Sequence, residues 1–263
     1  DMSDSRRIEQ AAAAQLPAHT LMRRAGLAVA RLAAALAPHA RCIWVACGPG
    51  NNGGDGFEAA AQLKLRGFDP CVSFDGDEAR LPPDALDALQ RARQSGVPIG
   101  TEPPAQYDLA IDALLGLGAT RAPGSRMAQW LEAMYRTGRP VLGVDLPSGL
   151  DADTGTAAFD FGHGAARHCL NLLTLKPGVF TAQGRDAAGE IWFDDLGCLP
   201  GEEAPAACLN APPALQQRAH ATHKGSYGDV AVLGGAPGMA GPALLAARAA
   251  LHAGARRGCA GVL

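Results

Sequence analysis

Short apolar runs alternate with helical patterns along this chain of 263 residues, and the alternation constrains the fold more than any other feature. Continuous apolar runs are typical of strands that are buried on both faces of a parallel sheet. The strand patterns fall at residues 42–47, 70–74, 107–115, 141–144, 169–175 and 190–193. Helical spacing of apolar residues predicts helices at 20–37, up to residue 66, at 82–94 and at 127–137. The order predicts an α/β fold with a doubly wound, mainly parallel sheet and helices on both faces.

Composition excludes several classes of protein. Hydrophobic residues make up 48% and charged residues 19%, so the chain can bury a core. A net charge of −3 provides no basic surface for nucleic acid or an anionic membrane. The amino-terminal segment has no apolar signal region, and the seven cysteines form no C-x-x-C pair. We therefore expect a cytoplasmic location without disulfides, and, because Asp1 precedes Met2, a chain that does not begin at its natural start.

The chain is expected to contain two domains of unequal length. Residues 1–197 carry the strand and helix alternation, and the proline-rich stretch 198–219 is typical of a linker. Residues 220–263 then begin a new strand–loop–helix unit. These 44 residues are too few for an independent core, so we expect the second domain to be incomplete.

Three polar segments follow predicted strands, at residues 48–56, 115–124 and 145–155. Ligands of open α/β sheets bind outside the carboxyl ends of the strands. In the first segment, Gly48, Gly50 and Gly53 match G-x-G-x-x-G and Asp75 follows at the distance of a ribose-binding acid, which would suit an NAD-dependent oxidoreductase. In the same segment, asparagine amides can bind a phosphate or a cation, or shape the turn, and Asp55 can cap the helix.

Two acidic residues stand at the ends of the next strands. Asp112 lies between apolar residues, where a carboxylate is either paired, bound to metal or bonded to amides of a neighbouring turn. Asp145 is either a functional acid or a turn former before Pro147. The three segments offer carboxylate, amide and hydroxyl oxygens, which suit a hard cation rather than zinc or copper. Gly116, Gly118 and Arg121 form a flexible, cationic lip that suits an anionic ligand.

The motifs GPGNNGGDG, DALLGLG and VDLPSGLDADTG, in this order, resemble the NAD(P)H-hydrate epimerase domain, which is the YjeF N-terminal domain. LTLKPGVFTAQGRDAAGEIWFDDLG is similar to the closing segment of that domain. HKGSYGDVAVLGGAPGMAGPALLAARAAL resembles the start of the ribokinase-like, ADP-dependent NAD(P)H-hydrate dehydratase that is fused to it in bacterial bifunctional repair enzymes. The resemblance implies a Rossmann-like sheet followed by the first strand, loop and helix of the dehydratase, which is not expected to be active in this chain.

The resemblance also implies a reaction and a set of site residues. The epimerase interconverts the R and S forms of hydrated NADH or NADPH, called NAD(P)HX, at C6 of the nicotinamide ring. The fused dehydratase then acts on the S form with ADP or ATP. The implied potassium ligands are Asn52, Asp112 and Ser148. The implied substrate-binding residues are Asn51, Asn52, Gly53, Gly54, Asp55, Gly116, Leu117, Gly118, Ala119, Thr120, Arg121, Ala122 and Asp145.

Asp145 is our candidate for proton transfer at the C6 hydroxyl. Lys176 either positions a phosphate or stabilises charge, or is an ordinary surface lysine. The resemblance suggests a homodimer or a larger homo-oligomer. The alternative function is a non-catalytic scaffold for binding or dimerisation, a use that would tolerate loss of the metal-binding and substrate-binding residues. The second alternative is the NAD-dependent oxidoreductase described above.

Overall fold

The computed structural model describes residues 1–117, 123–162, 164–198, 205, 207–211, 220–223 and 225–261. The predicted linker 198–219 lies mostly outside this part of the chain. The chain divides into two compact units, Asp1–Cys208 and Leu209–Leu263. Each unit is described by itself below.

The first unit is built on a seven-stranded sheet in which every neighbouring pair of strands is parallel. The strand order is β3-β2-β1-β4-β5-β6-β7, so the order reverses between β1 and β4. This topology confirms the predicted doubly wound sheet. The strands are β1 (Cys42–Cys47), β2 (Asp69–Phe74), β3 (Ile99–Gly100), β4 (Leu109–Ala113), β5 (Val141–Val144), β6 (Arg167–Leu172) and β7 (Glu190–Asp194).

Helices cover both faces of this sheet. They are α1 (Met2–Ala14), α2 (Thr20–Leu36), α3 (Asn51–Leu65), α4 (Pro83–Gln94), α5 (Ser125–Arg136) and α6 (Gly184–Ala188). Side chains of β1 alternate between the faces: Ile43 and Val45 pack in the core with α2, α3 and α4, whereas Trp44 packs in the core with α5 and α6. The two cores hold the strands in place. Because the strands are parallel, the carboxyl ends of the strands lie at the same edge of the sheet.

Several elements were not predicted from the sequence. Helix α1 precedes the first predicted element, and the short β3 and α6 were also missed. Asp1 caps α1, because its side chain accepts a hydrogen bond from the backbone N–H of Asp4 at 2.9 Å. The side chain of Ser5 in α1 lies 2.8 Å from that of Thr174, which ties the helix to the segment after β6.

The second unit contains β8 (Asp229–Leu233), α7 (Gly241–His252) and β9 (Arg257–Gly261). The two strands pair in parallel, as the crossover helix between them requires. The strand–loop–helix start was predicted, and β9 was not. Within the described part of both units, no helix combines the length and apolar character needed to cross a bilayer.

Candidate functional site

Helix α3 begins earlier than the sequence suggested. The segment 48–56 was predicted to be a loop, but the helix begins at Asn51 with Gly50 at its N-cap. Asp55 is therefore the fifth residue of the helix, and the capping role considered for it is wrong. The glycines after Asn52 lie inside the helix rather than in a phosphate loop.

These glycines allow α3 to lie unusually close to its neighbours. A Cβ atom added to Gly54 would stand 2.7 Å from Met22 Cε of α2, and one added to Gly56 would stand 2.6 Å from Ala113 Cβ of β4. One added to Gly53 would stand 2.0 Å from the carbonyl oxygen of Gly48. Such distances exclude any side chain, so Gly53 and Gly54 serve close packing that brings Asn51, Asn52 and Asp55 to the strand ends.

Asp145 follows β5 in a strained backbone conformation. Its φ is +66°, in the left-handed region that residues with a side chain rarely occupy. Neighbouring groups hold it there: its carbonyl oxygen accepts from Asn171 Nδ2 at 2.8 Å, and its Oδ1 accepts from the backbone N–H of Leu172 at 3.1 Å. The turn thus presents one carboxylate at a fixed position.

Lys176 pairs with this carboxylate. Its Nζ donates to Asp145 Oδ1 and, at 2.7 Å, to the carbonyl oxygen of Leu172. Lys176 is only 2% exposed, so its reading as a surface lysine is wrong. The backbone N–H of Lys176 donates to Asn171 Oδ1 at 3.0 Å, and Asn171 therefore links the two charged residues. A buried ammonium with a carboxylate and a carbonyl oxygen is compensated rather than isolated.

The pair opens into a cavity of about 200 Å³. Asn51 and Asp55 of α3, Leu117, and Glu9 of α1 also line it. Burial, followed by the charge of Asp145, raises the pKa of Asp55 well above its ordinary value. The same two causes raise the pKa of Glu9. The cavity therefore places a paired carboxylate beside two carboxyl groups whose ionised forms are destabilised.

Asp112 lies in a second, adjoining cluster. It is fully buried, and its carboxylate accepts from Ser148 Oγ at 2.6 Å, from the backbone N–H of Ser148 at 2.9 Å and from Tyr135 Oη at 3.3 Å. Ser148 Oγ also accepts from the backbone N–H of Leu115 at 2.8 Å. The amide contact from Ser148 is of the kind expected if Asp112 bonds to a neighbouring turn, which was one of the roles considered for it above. Burial raises the pKa of Asp112, although the hydrogen bonds from Ser148 oppose that effect.

Asn52 lies against the loop that follows this cluster. A Cβ added to Gly116 would stand 3.2 Å from the Asn52 amide group, so this loop and α3 are in contact. Asn52 Nδ2 is buried without a hydrogen-bond partner. Rotation of the amide by 180° would place the carbonyl oxygen at the same point, where a cation would satisfy it. The donor set of Asn52, Asp112 and Ser148, one carboxylate and neutral oxygens, fits a hard monovalent cation.

Metal sites of another kind are not found: among the described residues, no group of three or more His, Cys, Asp and Glu side chains could hold an ion. Asp75, the ribose-binding candidate of the oxidoreductase alternative, lies beyond β2 with its Oδ1 3.4 Å from Arg126. The predicted residues Gly118, Ala119, Thr120, Arg121 and Ala122 lie outside the described residues. The other predicted site residues lie in the cavity, in the adjoining cluster or in the packing of α3.

Sequence reasoning missed three residues of the site. Glu9 belongs to a helix that was not predicted, although the acids at positions 1 and 4 match a capping pattern. Asn171 and Tyr135 gave no local signal, because their partners Asp145 and Asp112 lie more than twenty positions away. Asn171 and Tyr135 were therefore missed because of their distance in sequence from the two aspartates.

Comparisons with known proteins identify the family of this chain. The family model described as YjeF-related protein N-terminus matches residues 18–178. The chain is 35% identical over 266 residues to the bifunctional NAD(P)H-hydrate repair enzyme Nnr of Escherichia coli (strain K12), covering 96% of this chain and 51% of that protein. It is 44% identical over 162 residues to the NAD(P)H-hydrate epimerase of Rhodobacter capsulatus, covering 57% of this chain and 76% of that protein.

The fold has a solved counterpart. The crystal structure of the yeast protein ynu0 aligns with a TM-score of 0.61 and 21% identity, covering 72% of this chain and 85% of that one. The chain spans about half the length of the bifunctional relatives from E. coli and Leishmania braziliensis. With its matched sheet, its cavity and its motifs in order, this chain belongs to the family of YjeF-related N-terminal domains.

Proposed function

We propose that this protein epimerises NAD(P)HX at C6 of the hydrated nicotinamide ring, as a metabolite-repair isomerase. The carrying observation is the Asp145–Lys176 pair, which is held at the end of β5 and opens into the cavity. Two relatives are named as enzymes of NAD(P)H-hydrate repair, which supports the enzymatic function over the scaffold alternative. Asn51, Asp55 and the segment from Gly116 to Ala122 would hold the substrate.

The chemistry requires reversible loss of the stereocentre at C6. The lone pair of the ring nitrogen forms a C=N bond while the C6–O bond breaks, and the departing oxygen takes a proton from the Asp145–Lys176 pair and leaves as water. Water then adds to the other face of C6 and returns the proton. Asp145 is the proposed proton-transfer group, and such a group contributes about 10²–10⁴-fold to a rate. Lys176 fixes its orientation, so the carboxylate meets the hydroxyl without first reorganising.

Potassium is the second part of this proposal. Asn52, Asp112 and Ser148 would hold the ion, which would supply positive charge beside the buried Asp112. The unpartnered Asn52 amide and the lack of a cationic side chain in the described contacts of Asp112 support it. Potassium should raise the melting temperature more than an equal concentration of choline. Ser148→Ala should remove that difference, and an unchanged difference would contradict this assignment.

Three further proposals concern the protein's context. The seven cysteines are all free, which supports a reducing, cytoplasmic location. Self-association is supported by edge strand β7, where Trp192 is 39% and Phe193 is 49% exposed. We retain residues 1–197 as the epimerase domain and 220–263 as the start of an ADP- or ATP-dependent dehydratase domain. Light scattering of the purified chain tests the oligomeric state.

The decisive experiment measures interconversion of R- and S-NADHX by chromatography. The protein should equilibrate the two forms far faster than the spontaneous reaction. Asp145→Asn should lower kcat by about 10²–10⁴-fold with KM nearly unchanged. The matched control is Asp186→Asn, which changes an exposed acid on α6 and should retain the activity.

Two outcomes would overturn the proposal. No acceleration by the folded protein would favour the scaffold alternative. Retained turnover with a raised KM in Asp145→Asn would show that Asp145 binds substrate without transferring the proton.

A further inference from the structure

Helix α1 forms one wall of the cavity, although it precedes the segment that the family model matches. Ser5, Glu9 and Ala13 line the cavity at a spacing of four residues, which places them on one face of the helix. The contact between Ser5 and Thr174 fixes that face, and the backbone N–H of Met2 donates to Asp153 at 2.7 Å. Glu9 is the one ionisable side chain that α1 contributes to the lining.

The charges around the cavity are unevenly distributed. Among the described lining residues, Lys176 is the one lysine or arginine, and both Lys176 and the imidazole of His19 already contact an acid. Lys176 pairs with Asp145, and His19 Nδ1 lies 2.5 Å from Asp84 Oδ1. No hydrogen bond or ion pair within the described part of the chain holds the carboxyl group of Glu9 or Asp55. Four acidic side chains of the described lining are thus set against one lysine, although the positive charge of nearby Arg6 also acts on Glu9.

This charge suits only one part of the proposed substrate. The diphosphate of a dinucleotide is anionic and would be repelled here, so the cavity is matched to the nicotinamide end. The hydrated ring is neutral, but it becomes a cationic iminium when the C6–O bond breaks and the nitrogen lone pair forms the C=N bond. A carboxylate with no hydrogen bond or ion pair among the described residues would gain an oppositely charged partner only when the ring becomes cationic. Such a carboxylate would stabilise the transition state more than the bound substrate, which is what catalysis requires.

We propose that Glu9 is a further catalytic residue, whose carboxylate lies against the nicotinamide ring and stabilises the positive charge that develops on the ring nitrogen. This inference rests on the proposed epimerase function. It assigns the ring-closed route, because opening of the ring would leave a neutral aldehyde and enamine with no cation to stabilise. Burial and the charge of Asp145 raise the pKa of Glu9, whereas the positive charges of Lys176 and Arg6 oppose that shift, as a cationic ring beside Glu9 would.

The first test separates turnover from binding. Glu9→Gln keeps the shape of the side chain and removes its charge, and it should lower kcat by about 10- to 100-fold with less than a twofold change in KM. Glu9→Asp, which keeps the charge, should recover part of the loss. Gln10→Ala, an exposed change on the same helix, is the control and should match the parent chain.

The second test does not depend on activity. NAD⁺ and NADH differ in ring charge and share the diphosphate, so calorimetric Kd values for the two isolate the effect of ring charge. Glu9→Gln should weaken NAD⁺ binding relative to NADH by about tenfold, as expected for one charge pair in a partly solvated site. Gln10→Ala should leave the ratio of the two Kd values unchanged.

The outcomes distinguish this inference from the function on which it rests. An active parent chain with unchanged kcat and an unchanged Kd ratio in Glu9→Gln would overturn the role of Glu9 alone. A rise in KM without a fall in kcat would also overturn it, since it would indicate ordinary substrate binding. An inactive parent chain would refute the epimerase function, while the Kd ratio would still report whether Glu9 recognises a cationic ring.

Discussion

Asp112 lies near the carboxyl end of β4 and Asp145 directly follows the neighbouring strand β5, but their surroundings are opposite. Asp145 has a buried ammonium as its partner and opens into the cavity. Asp112 is sealed from solvent and receives hydrogen bonds from neutral groups alone within the described contacts. The same residue type is thus placed in two different settings: Asp145 presents a carboxylate to the cavity, and Asp112 holds the turn that contains Ser148.

Removing the Lys176 ammonium should change the free energy of unfolding more than any other substitution considered for these two aspartates. Lys176→Met leaves Asp145 with an uncompensated charge and should lower the free energy of unfolding by about 3–5 kcal/mol, measured by urea denaturation. The double variant Asp145→Asn with Lys176→Met removes both charges and should recover at least half of that loss. If the loss in the double variant equalled the sum of the losses in Asp145→Asn and Lys176→Met, the two residues would not be coupled.

Ser148→Ala should have the next largest effect. It removes the Oγ donor to Asp112 and the acceptor for the backbone N–H of Leu115, so two buried groups lose a partner. We expect a loss of about 2–3 kcal/mol in the free energy of unfolding. Ser95→Ala removes one hydroxyl at the partly exposed end of α4 and should change stability by less than about 0.5 kcal/mol. Equal losses in Ser148→Ala and Ser95→Ala would contradict the special role of the Ser148 hydroxyl in the Asp112 cluster.

Asp55 extends the comparison to an acid whose carboxyl group makes no hydrogen bond or ion pair with the described part of the chain. Its pKa is raised in the folded protein, so it favours the protonated form, and its contribution to stability falls as pH rises from about 4 through the folded pKa. Asp55→Asn should therefore raise stability at neutral pH and flatten this decline. The gain should be smaller than the Ser148→Ala loss, because the Asp55 side chain is only half-buried. Melting temperatures from pH 4 to 8, with Asp186→Asn as control, test it; a steeper decline would refute it.

The smallest effect is expected at Tyr135. Its hydroxyl donates to Asp112 over a long 3.3 Å, while its ring packs against Phe161 with centroids 4.9 Å apart. Tyr135→Phe keeps the ring contact and should lower the free energy of unfolding by about 0.5–1.5 kcal/mol with unchanged turnover in the proposed epimerisation. A large fall in turnover would indicate that the two clusters act as one unit.

The local sequence pattern predicted most of the fold but only part of the candidate site. Strands 42–47 and 141–144 were predicted at their observed bounds, because continuous apolar runs require burial on both faces. Helix α1 is mostly polar, so its sequence gave no clear apolar face. The burial of Lys176 was missed because lysine is usually exposed and its partner stands 31 positions away. Pairings of this kind depend on tertiary structure, which the local pattern does not contain.

The tight packing of α3 has a consequence for how its motif is read in other sequences. Gly53, Gly54 and Gly56 of GNNGGDG are required by contacts with the backbone after β1, with α4 and with β4, whatever the protein does, whereas Gly50 has open space around it. A relative that lost Asp145 and Lys176 would still need these three glycines in order to fold. The glycines therefore mark ancestry, whereas the polar residues between and beyond them mark chemistry, and a search for active members of this family should score the two sets separately.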